Sequence, residues 1–384
     1  MPLGQSEKTM ARVALELQPC CRIRSGIGTY TYELACRLYE EDGLEFQGNI
    51  FNFLGRNVNS RSLDGIPMPV VECKLFPYGV YRRIWNGIKI PYDRLFPHSD
   101  LTLFFDYIVP PDIGGLVITT IHDLTPFRFP HTMKSGNRRR INEGLCRSIE
   151  RSKCVIAVSE FTKREIISEF GVSEEKIAVI PNAPCCSEKY VEFAQLEKKY
   201  RIHAPYILFF GTIEPRKNLT KLLKAYEHLK TEAGIPHKLV LAGGPGWNNE
   251  EIYSTAKGLS CANDVIFTGF VSAEEKNTLY KNAAAFVYPS IYEGFGIPPL
   301  EAMHFGCPVI TSDAASLPEV VGDAARLINP YDEASIAEGI FSVINNNEYA
   351  RHLIRKGYQQ EKKYTWDASA EKLKLLCKEV LKGT

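Results

Sequence analysis

Two carboxylates spaced E-x7-E, Glu293 and Glu301, bracket the richest chemical stretch of the chain, residues 290–306, SIYEGFGIPPLEAMHFG. A short apolar run at 283–288 precedes it and reads as a buried strand; a helix is expected to start near Ile297. Pro298 and Pro299 suit a first helical turn, where a missing N–H has no intrahelical partner to lose. Gly294 and Gly296 let the backbone turn sharply just before, and a glycine loop feeding a helix N-terminus favours negative charge. Yet two acids flank it. The spacing places Glu293 in the loop and Glu301 in the first helical turn, so the two are not partners on one helical face. Taken alone, Glu301 could simply complement the helix dipole and Glu293 could be solvated.

Four other stretches put reactive side chains or free amides at strand ends. IHDL (121–124) ends an apolar run in His122 and Asp123. An imidazole there can donate to a sugar hydroxyl or phosphate oxygen, and Asp123 could orient it or cap the next turn; a structural histidine is the alternative. GTIEPRKN (211–218) sets Arg216 and Lys217 where a helix begins, behind Gly211 and Thr212. Basic residues are unusual at that end of a helix, which favours an anion partner over a solvated turn. LAGGPGW (241–247) repeats the glycine pattern, where Trp247 could serve as a packing plate, but a plain turn is the favoured reading. GIGTY (26–30), with Gly26 and Gly28, could free amides for a phosphate or sugar. It is too short for a dinucleotide fingerprint, and a plain turn is the alternative.

These loops need a frame. A chain of 384 residues exceeds one usual core and suggests two domains. With 45% hydrophobic and 24% charged residues the composition is that of an ordinary soluble globular protein. A formal net charge of +1 gives no global pull toward nucleic acid or an acidic substrate. No apolar run approaches the roughly 18 residues of a spanning helix. The start MPLGQSEKT is polar, without a signal-peptide pattern, and the eleven cysteines form no CxxC pair, so reduced thiols in a cytoplasmic protein are expected.

Strand-like and helical segments alternate along the chain. Strands are expected at 12–18, 50–54, 101–105, 117–121, 155–158 and 177–180, with helices at 29–39, 136–150 and 161–170. Residues 182–205 break the rhythm and read as a connection. A second series comes after it, with strands at 206–211, 238–244, 265–270, 284–289 and 308–312 and helices at 219–232, 250–261 and 273–283. Short apolar strands alternating with helices argue for parallel sheets covered on both faces. The reading is α/β: two doubly wound Rossmann-like domains, each receiving ligands at the carboxyl ends of its strands, with a ligand expected between them.

In order and spacing, GIGTYTYEL, HDLTPFRFP, VSEFTKREI, IPNAP, GTIEPRKNL, LAGGPGW and EGFGIPPLEAMHFGCPVITSDAASLPEVVGDAA resemble one family over almost the whole length. The chain resembles the retaining, nucleotide-sugar-dependent glycosyltransferases of the GT-B fold, in the large family 4 group (glycosyltransferase group 1), and its mannosyltransferases in particular. The E-x7-E pair is that family's hallmark. The resemblance implies an acceptor-side domain at 1–190 joined by a crossing C-terminal helix at 365–384, and a nucleotide-sugar domain at 200–364. It implies that Glu301 binds ribose hydroxyls and that Glu293 lies near the donor sugar. It further implies that Phe295 and Gly296 touch sugar hydroxyls by their backbone and that Arg216 and Lys217 neutralise the diphosphate. Gly294, Ile297, Gly211 and Thr212 complete the donor loops, His122 contacts donor sugar or phosphate, and the Gly26–Gly28 turn approaches the same region. Many relatives carry an arginine where this chain has Thr212, which leaves open whether Arg216 takes its place.

The mechanism that goes with the resemblance is front-face transfer, with the departing diphosphate helping to deprotonate the acceptor and no covalent carboxylate intermediate. The chain has no Asp-x-Asp, so neither metal nor other cofactor is expected. The expected partners are a nucleotide-sugar donor, best read as GDP-mannose with a UDP-hexose as competitor, and a glycan or lipid-linked acceptor. Nucleic acid is not expected. Residues 128–153 hold eight basic and two acidic residues, Arg138, Arg139 and Arg140 among them, which could draw the chain to the inner face of a membrane; a solvated helix face is the alternative. A sugar-nucleotide epimerase of related fold and a non-catalytic nucleotide-sugar sensor are the competing functions. The sequence is silent on oligomeric state.

Overall fold

Strands built from unbroken apolar runs must be covered on both faces, and the chain supplies two such sheets. The computed structural model describes residues 10–21, 26–39, 43–56, 58, 60–85, 90–130 and 135–383, and the side chains of 60–61 and 135–141 lie outside that description. The polar leader 1–9 and the arginines Arg138, Arg139 and Arg140 of the basic run therefore fall beyond what is described. Two compact units emerge: residues 1–127, 135–182 and 366–384 in the first, and 128–134 with 183–365 in the second.

The first unit is a seven-stranded, all-parallel sheet in the order β3-β2-β1-β4-β5-β6-β7. Its strands are β1 (Ala11–Glu16), β2 (Leu44–Phe51), β3 (Val70–Cys73), β4 (Leu101–Phe104), β5 (Leu116–Ile121), β6 (Cys154–Ala157) and β7 (Ile177–Val179). Every residue of β4 and β6 is buried, which is what cover on both faces requires. Strand order reverses at β1, which pairs with β2 on one edge and β4 on the other, the kind of switch point at which open α/β sheets receive ligands. The C-terminal helix Trp366–Lys382 belongs to this unit. It is pinned by Ser369 Oγ donating to Pro181 O at 2.8 Å and by Asp367 against Arg37 at 2.7 Å, with Leu373 and Val380 buried.

The second unit carries six parallel strands in the order β10-β9-β8-β11-β12-β13. They are β8 (Tyr206–Phe210), β9 (Lys238–Ala242), β10 (Val265–Gly269), β11 (Ala285–Tyr288), β12 (Val309–Ser312) and β13 (Ala325–Ile328). Here the reversal falls at β8, between β9 and β11. The GTIEPRKN loop leaves β8 and the SIYEGFG loop leaves β11, so the two run side by side.

Several boundaries differ from the sequence reading. β2 starts at Leu44, because the polar Gln47 and Asn49 are buried and bonded to each other (2.9 Å) and so hide a strand inside a polar-looking run. The short strands β3 and β13 and the helices Tyr78–Ile84, Glu333–Ile344 and Asn347–Glu361 were not expected. The stretch 182–205, expected as a bare connection, contains the helix Phe193–Tyr200. GIGTY is not a loop: Gly26 opens the helix Gly26–Ala35, three residues before its expected start. Among the described residues no disulfide joins the cysteines. Among the described residues no helix is long and apolar enough to cross a membrane.

Candidate functional site

Asn218 ends the loop after β8 in the left-handed region (φ 60°), and its amide donates to Pro289 O at 3.2 Å and Pro330 O at 2.6 Å. Ile291 N donates back to Arg216 O at 3.0 Å. These bonds lace the loops after β8 and β11 together. Arg216 and Lys217 sit in a 3-10 turn, Pro215–Lys217, ahead of the helix Leu219–Thr231 rather than in its first turn. On the other loop Ser316 Oγ lies 2.9 Å from Glu293 O and 2.8 Å from Phe295 O, clamping the strand-to-helix turn.

Glu293 is the centre of this arrangement. Lys217 Nζ stands 2.5 Å from its Oε1, Ser290 Oγ donates to the same oxygen at 2.6 Å and Tyr288 Oη at 3.0 Å. Arg216 Nη1 lies 2.8 Å from Oε2 while Arg216 Nη2 meets Glu214 Oε1 at 2.8 Å. Glu293, Glu214 and Lys217 are all buried. Burial alone would raise the Glu293 carboxyl, but the charges of Arg216 and Lys217 and their hydrogen bonds outweigh it and bring it down to about 2. Burial, then the adjacent Arg216 charge, pushes the Lys217 ammonium below the usual lysine range, against the pull of Glu293 and Glu214. Burial and the Glu293 charge raise Tyr288, which keeps its phenol proton as a donor. Two cations and two carboxylates thus share one buried cluster.

Glu301 stands apart from Glu293. It is the fifth residue of the helix Ile297–His304, and that helix has no acidic residue in its first turn. The dipole explanation therefore fails: Glu301 lies past the first turn, where the terminal field falls off. Its carboxylate instead meets Lys276 Nζ at 2.5 Å and accepts from Tyr280 Oη at 3.3 Å. Both partners come from the helix Ala273–Asn282, which starts in a capping box of Ser272 and Glu275. Neither Lys276 nor Glu214 was singled out from sequence, although Lys276 and Tyr280 at i, i+4 share one helical face.

The glycines around these groups serve close approach. Gly296 caps the helix at φ 102°, and a Cβ there would lie 2.6 Å from Leu317 Cδ2. Gly243, at φ 141°, admits no Cβ because Gly211 O occupies its place. Thr212 packs by its methyl group against Gly246, so the guanidinium at Glu293 comes from Arg216. Gly294, Phe295 and Ile297 line the same turn, with the Phe295 ring edge-on to Tyr364 at 5.3 Å.

In the first unit, His122 comes directly after β5. Its Nε2 lies 2.9 Å from Phe105 O, so the neutral ring carries its proton there and leaves Nδ1 as an acceptor. Burial lowers its pKa, against the Phe105 hydrogen bond and the Asp123 and Asp106 charges. The Tyr30 ring meets His122 edge-on at 5.0 Å, and Trp366 of the C-terminal helix meets Tyr30 at 5.8 Å. Asp123 does not orient the imidazole: it accepts from Thr125 N at 2.9 Å and Tyr107 Oη at 3.0 Å, capping the short helical turn Thr125–Arg128. Gly28 is buried in the first turn of its helix, and a Cβ at Gly26 would meet nothing within 4 Å.

The profile of a family described as glycosyl transferases group 1 matches residues 193–360, and that of glycosyltransferase family 4 matches residues 24–183. O-antigen chain mannosyltransferase B of Escherichia coli is 34% identical over 256 residues, which cover 65% of this chain and 67% of that protein. Serotype-specific mannosyltransferase WbdA of Escherichia coli is 29% identical over 283 residues, 71% of this chain but only 34% of that protein, so the chain spans about one third of that relative. Among solved structures, sucrose-phosphate synthase from Thermosynechococcus elongatus superposes with a TM-score of 0.73 at 18% identity, covering 97% of this chain and 100% of that one. At that identity the likeness speaks to the fold alone.

Proposed function

We propose that this chain, which belongs to the group 1 glycosyltransferases of family 4, moves mannose from GDP-mannose to a saccharide acceptor with retention of anomeric configuration. The observation that carries the chemical part is the buried cluster in which Arg216 and Lys217 converge on Glu293 beside the Gly296 helix start. The mannosyltransferase relatives support the choice of sugar.

In this reading the leaving diphosphate gathers charge next to Arg216, Lys217 and the amides at the start of the helix Ile297–His304. Such fixed donors stabilise developing charge without reorganising. Glu293 holds the two cations in place and lies near the donor sugar, whose hydroxyls meet the backbone of Phe295 and Gly296. Glu301, braced by Lys276 and Tyr280, takes the ribose hydroxyls with its remaining lone pairs. His122 offers Nδ1 to a donor-sugar hydroxyl, since Phe105 O already takes its Nε2 proton. The acceptor oxygen attacks the anomeric carbon on the face the phosphate leaves, and the phosphate accepts the acceptor's proton. No metal is required, because the cations and amides supply the positive charge. The acceptor is a glycan or lipid-linked saccharide, reached in the cytoplasm or peripherally at the membrane's inner face.

The test is calorimetric titration of GDP, UDP, GDP-mannose and UDP-hexoses, followed by transfer to saccharide acceptors in the presence of EDTA, with the product linkage assigned by NMR. Tight GDP-mannose binding and an α-linked product at full rate in EDTA are expected. Binding of UDP sugars alone, or a β-linked product, overturns the donor or the stereochemical part.

A further inference from the structure

Behind His122 stands a run of aromatic rings that ends in the C-terminal helix. GIGTY opens the helix Gly26–Ala35, and the side chain this helix sends against the imidazole is Tyr30. Tyr30 is fully buried, and its ring stands edge-on to His122 at 5.0 Å with the two planes at 90°. The tyrosine is itself held at two points. Its hydroxyl donates to Ile180 O at 3.0 Å, just past β7, and the Trp366 ring meets it edge-on at 5.8 Å. Trp366 is the first residue of the C-terminal helix and is buried. Ser369 of the same helix is bonded to Pro181 O, so the helix and Tyr30 are anchored on neighbouring residues, Pro181 and Ile180. Phe105 closes the frame: its carbonyl takes the His122 Nε2 proton, and its ring lies 6.1 Å from Tyr30.

We propose that Trp366 and Tyr30 are positioning residues: through these ring contacts the C-terminal helix fixes the plane and the tautomer of the His122 imidazole. The physical need is plain. The outer torsion of a histidine is broad, and a turn about it exchanges ring nitrogens for ring carbons. The single bond to Phe105 O favours one orientation by about tenfold at most. An edge-on ring contact contributes a preference of the same order, so the two together hold the ring where either alone would not. Tyr30 can do this only if its own ring is set. With its hydroxyl pinned on Ile180, the ring can still turn about its long axis, and the Trp366 contact fixes that angle. The use of Nδ1 toward a donor-sugar hydroxyl rests on the glycosyl-transfer reading; the orientation of the ring does not.

Imidazole nitrogen NMR on the full chain tests it, with the His122 signals assigned by their loss in His122→Gln. The unaltered chain is expected to show one tautomer, protonated at Nε2. Trp366→Leu, which keeps an apolar side chain but no ring edge, is expected to mix in the second tautomer. It should also lower kcat/KM for the donor sugar about 2- to 10-fold, the reach of one aromatic contact. Trp366→Phe is expected to keep both near their original values, and GDP, which carries no sugar, to bind all of these variants equally. Leu373→Ala, at a buried position of the same helix, separates positioning from packing. It should lower the melting temperature and leave the imidazole signals and kcat/KM in place. If Trp366→Leu melts early, Tyr30→Phe, which gives up only the Ile180 bond, carries the same readout. An unchanged imidazole in Trp366→Leu, or an equal change in Leu373→Ala, overturns the proposal. A changed tautomer with unchanged kcat/KM supports the positioning and counts against the donor contact of His122 alone.

Discussion

Lys217 and Glu293 lie 76 positions apart in sequence, yet the lysine ammonium stands 2.5 Å from the glutamate carboxylate. Each is buried: Arg216 and Lys217 keep the Glu293 carboxylate charged, and Glu293 with Glu214 offsets the burial of the Lys217 ammonium. The pair couples the loop after β8 to the loop after β11, so it is structural and chemical at once.

Removing the anionic half should therefore show in stability as well as in turnover. Glu293→Ala leaves Arg216 and Lys217 in a buried cluster with only Glu214, and breaking a buried pair in this way costs about 3–5 kcal/mol. Glu293→Gln keeps the shape and the Ser290 bond, and should cost less. Urea denaturation of the two variants checks the order; equal stability of wild type and Glu293→Ala would contradict it.

Loss of a cation should be felt mainly in rate. Lys217→Ala and Arg216→Ala are each expected to lower kcat about 100- to 1,000-fold, the usual effect of deleting one preorganised charge stabiliser. Steady-state kinetics with GDP-mannose measures this. A variant that raised KM alone would place the cation in ground-state binding instead.

Glu301→Ala should act on the nucleotide. Hydrogen bonds to a charged group are worth about 1.5–3 kcal/mol, which converts to about 10- to 150-fold weaker GDP binding by calorimetry. Lys276→Met removes the brace but not the carboxylate, so its smaller loss would separate positioning from contact. Unchanged GDP affinity in Glu301→Ala would refute the ribose role.

Two buried carboxyls should pull stability in opposite directions with pH. Glu293, held at about 2, binds fewer protons in the folded than in the unfolded chain between its folded value and the ordinary 4.5. Its stabilisation is present above 4.5 and lost as pH falls toward 2. Glu16, raised to about 8, does the reverse: the folded chain holds a proton that the unfolded chain releases above 4.5, so stability falls as pH rises from 4.5 to 8. The groups facing Glu16 are Asp106, Arg82, Tyr78 and Tyr92. Glu16→Gln should therefore flatten the decline in melting temperature between pH 5 and pH 8, whereas Glu293→Gln should flatten the acid limb.

The local part of this protein was legible in its residues. Apolar runs of strand length, glycines at their ends, Pro298 and Pro299 at a helix start and the order of the loops determined two doubly wound units and marked Glu293, Glu301, Arg216, Lys217 and His122 as candidates. Those signals are carried by neighbours in sequence. What only the tertiary structure decided depends on side chains brought together from distant elements. Lys276 braces Glu301 from another helix, Glu214 takes half of Arg216, and Phe105 O takes the His122 proton that a strand-end position alone would offer to a ligand. Glu16, Asp106 and Arg82 carry no motif at all; the two acids come together because β1 and β4 are neighbours in the sheet, and Arg82 reaches Asp106 from a separate helix. Periodicity and spacing record which face a residue takes within its own element. They hold no record of which other element that face meets, and burial, pairing and proton affinity all depend on that meeting.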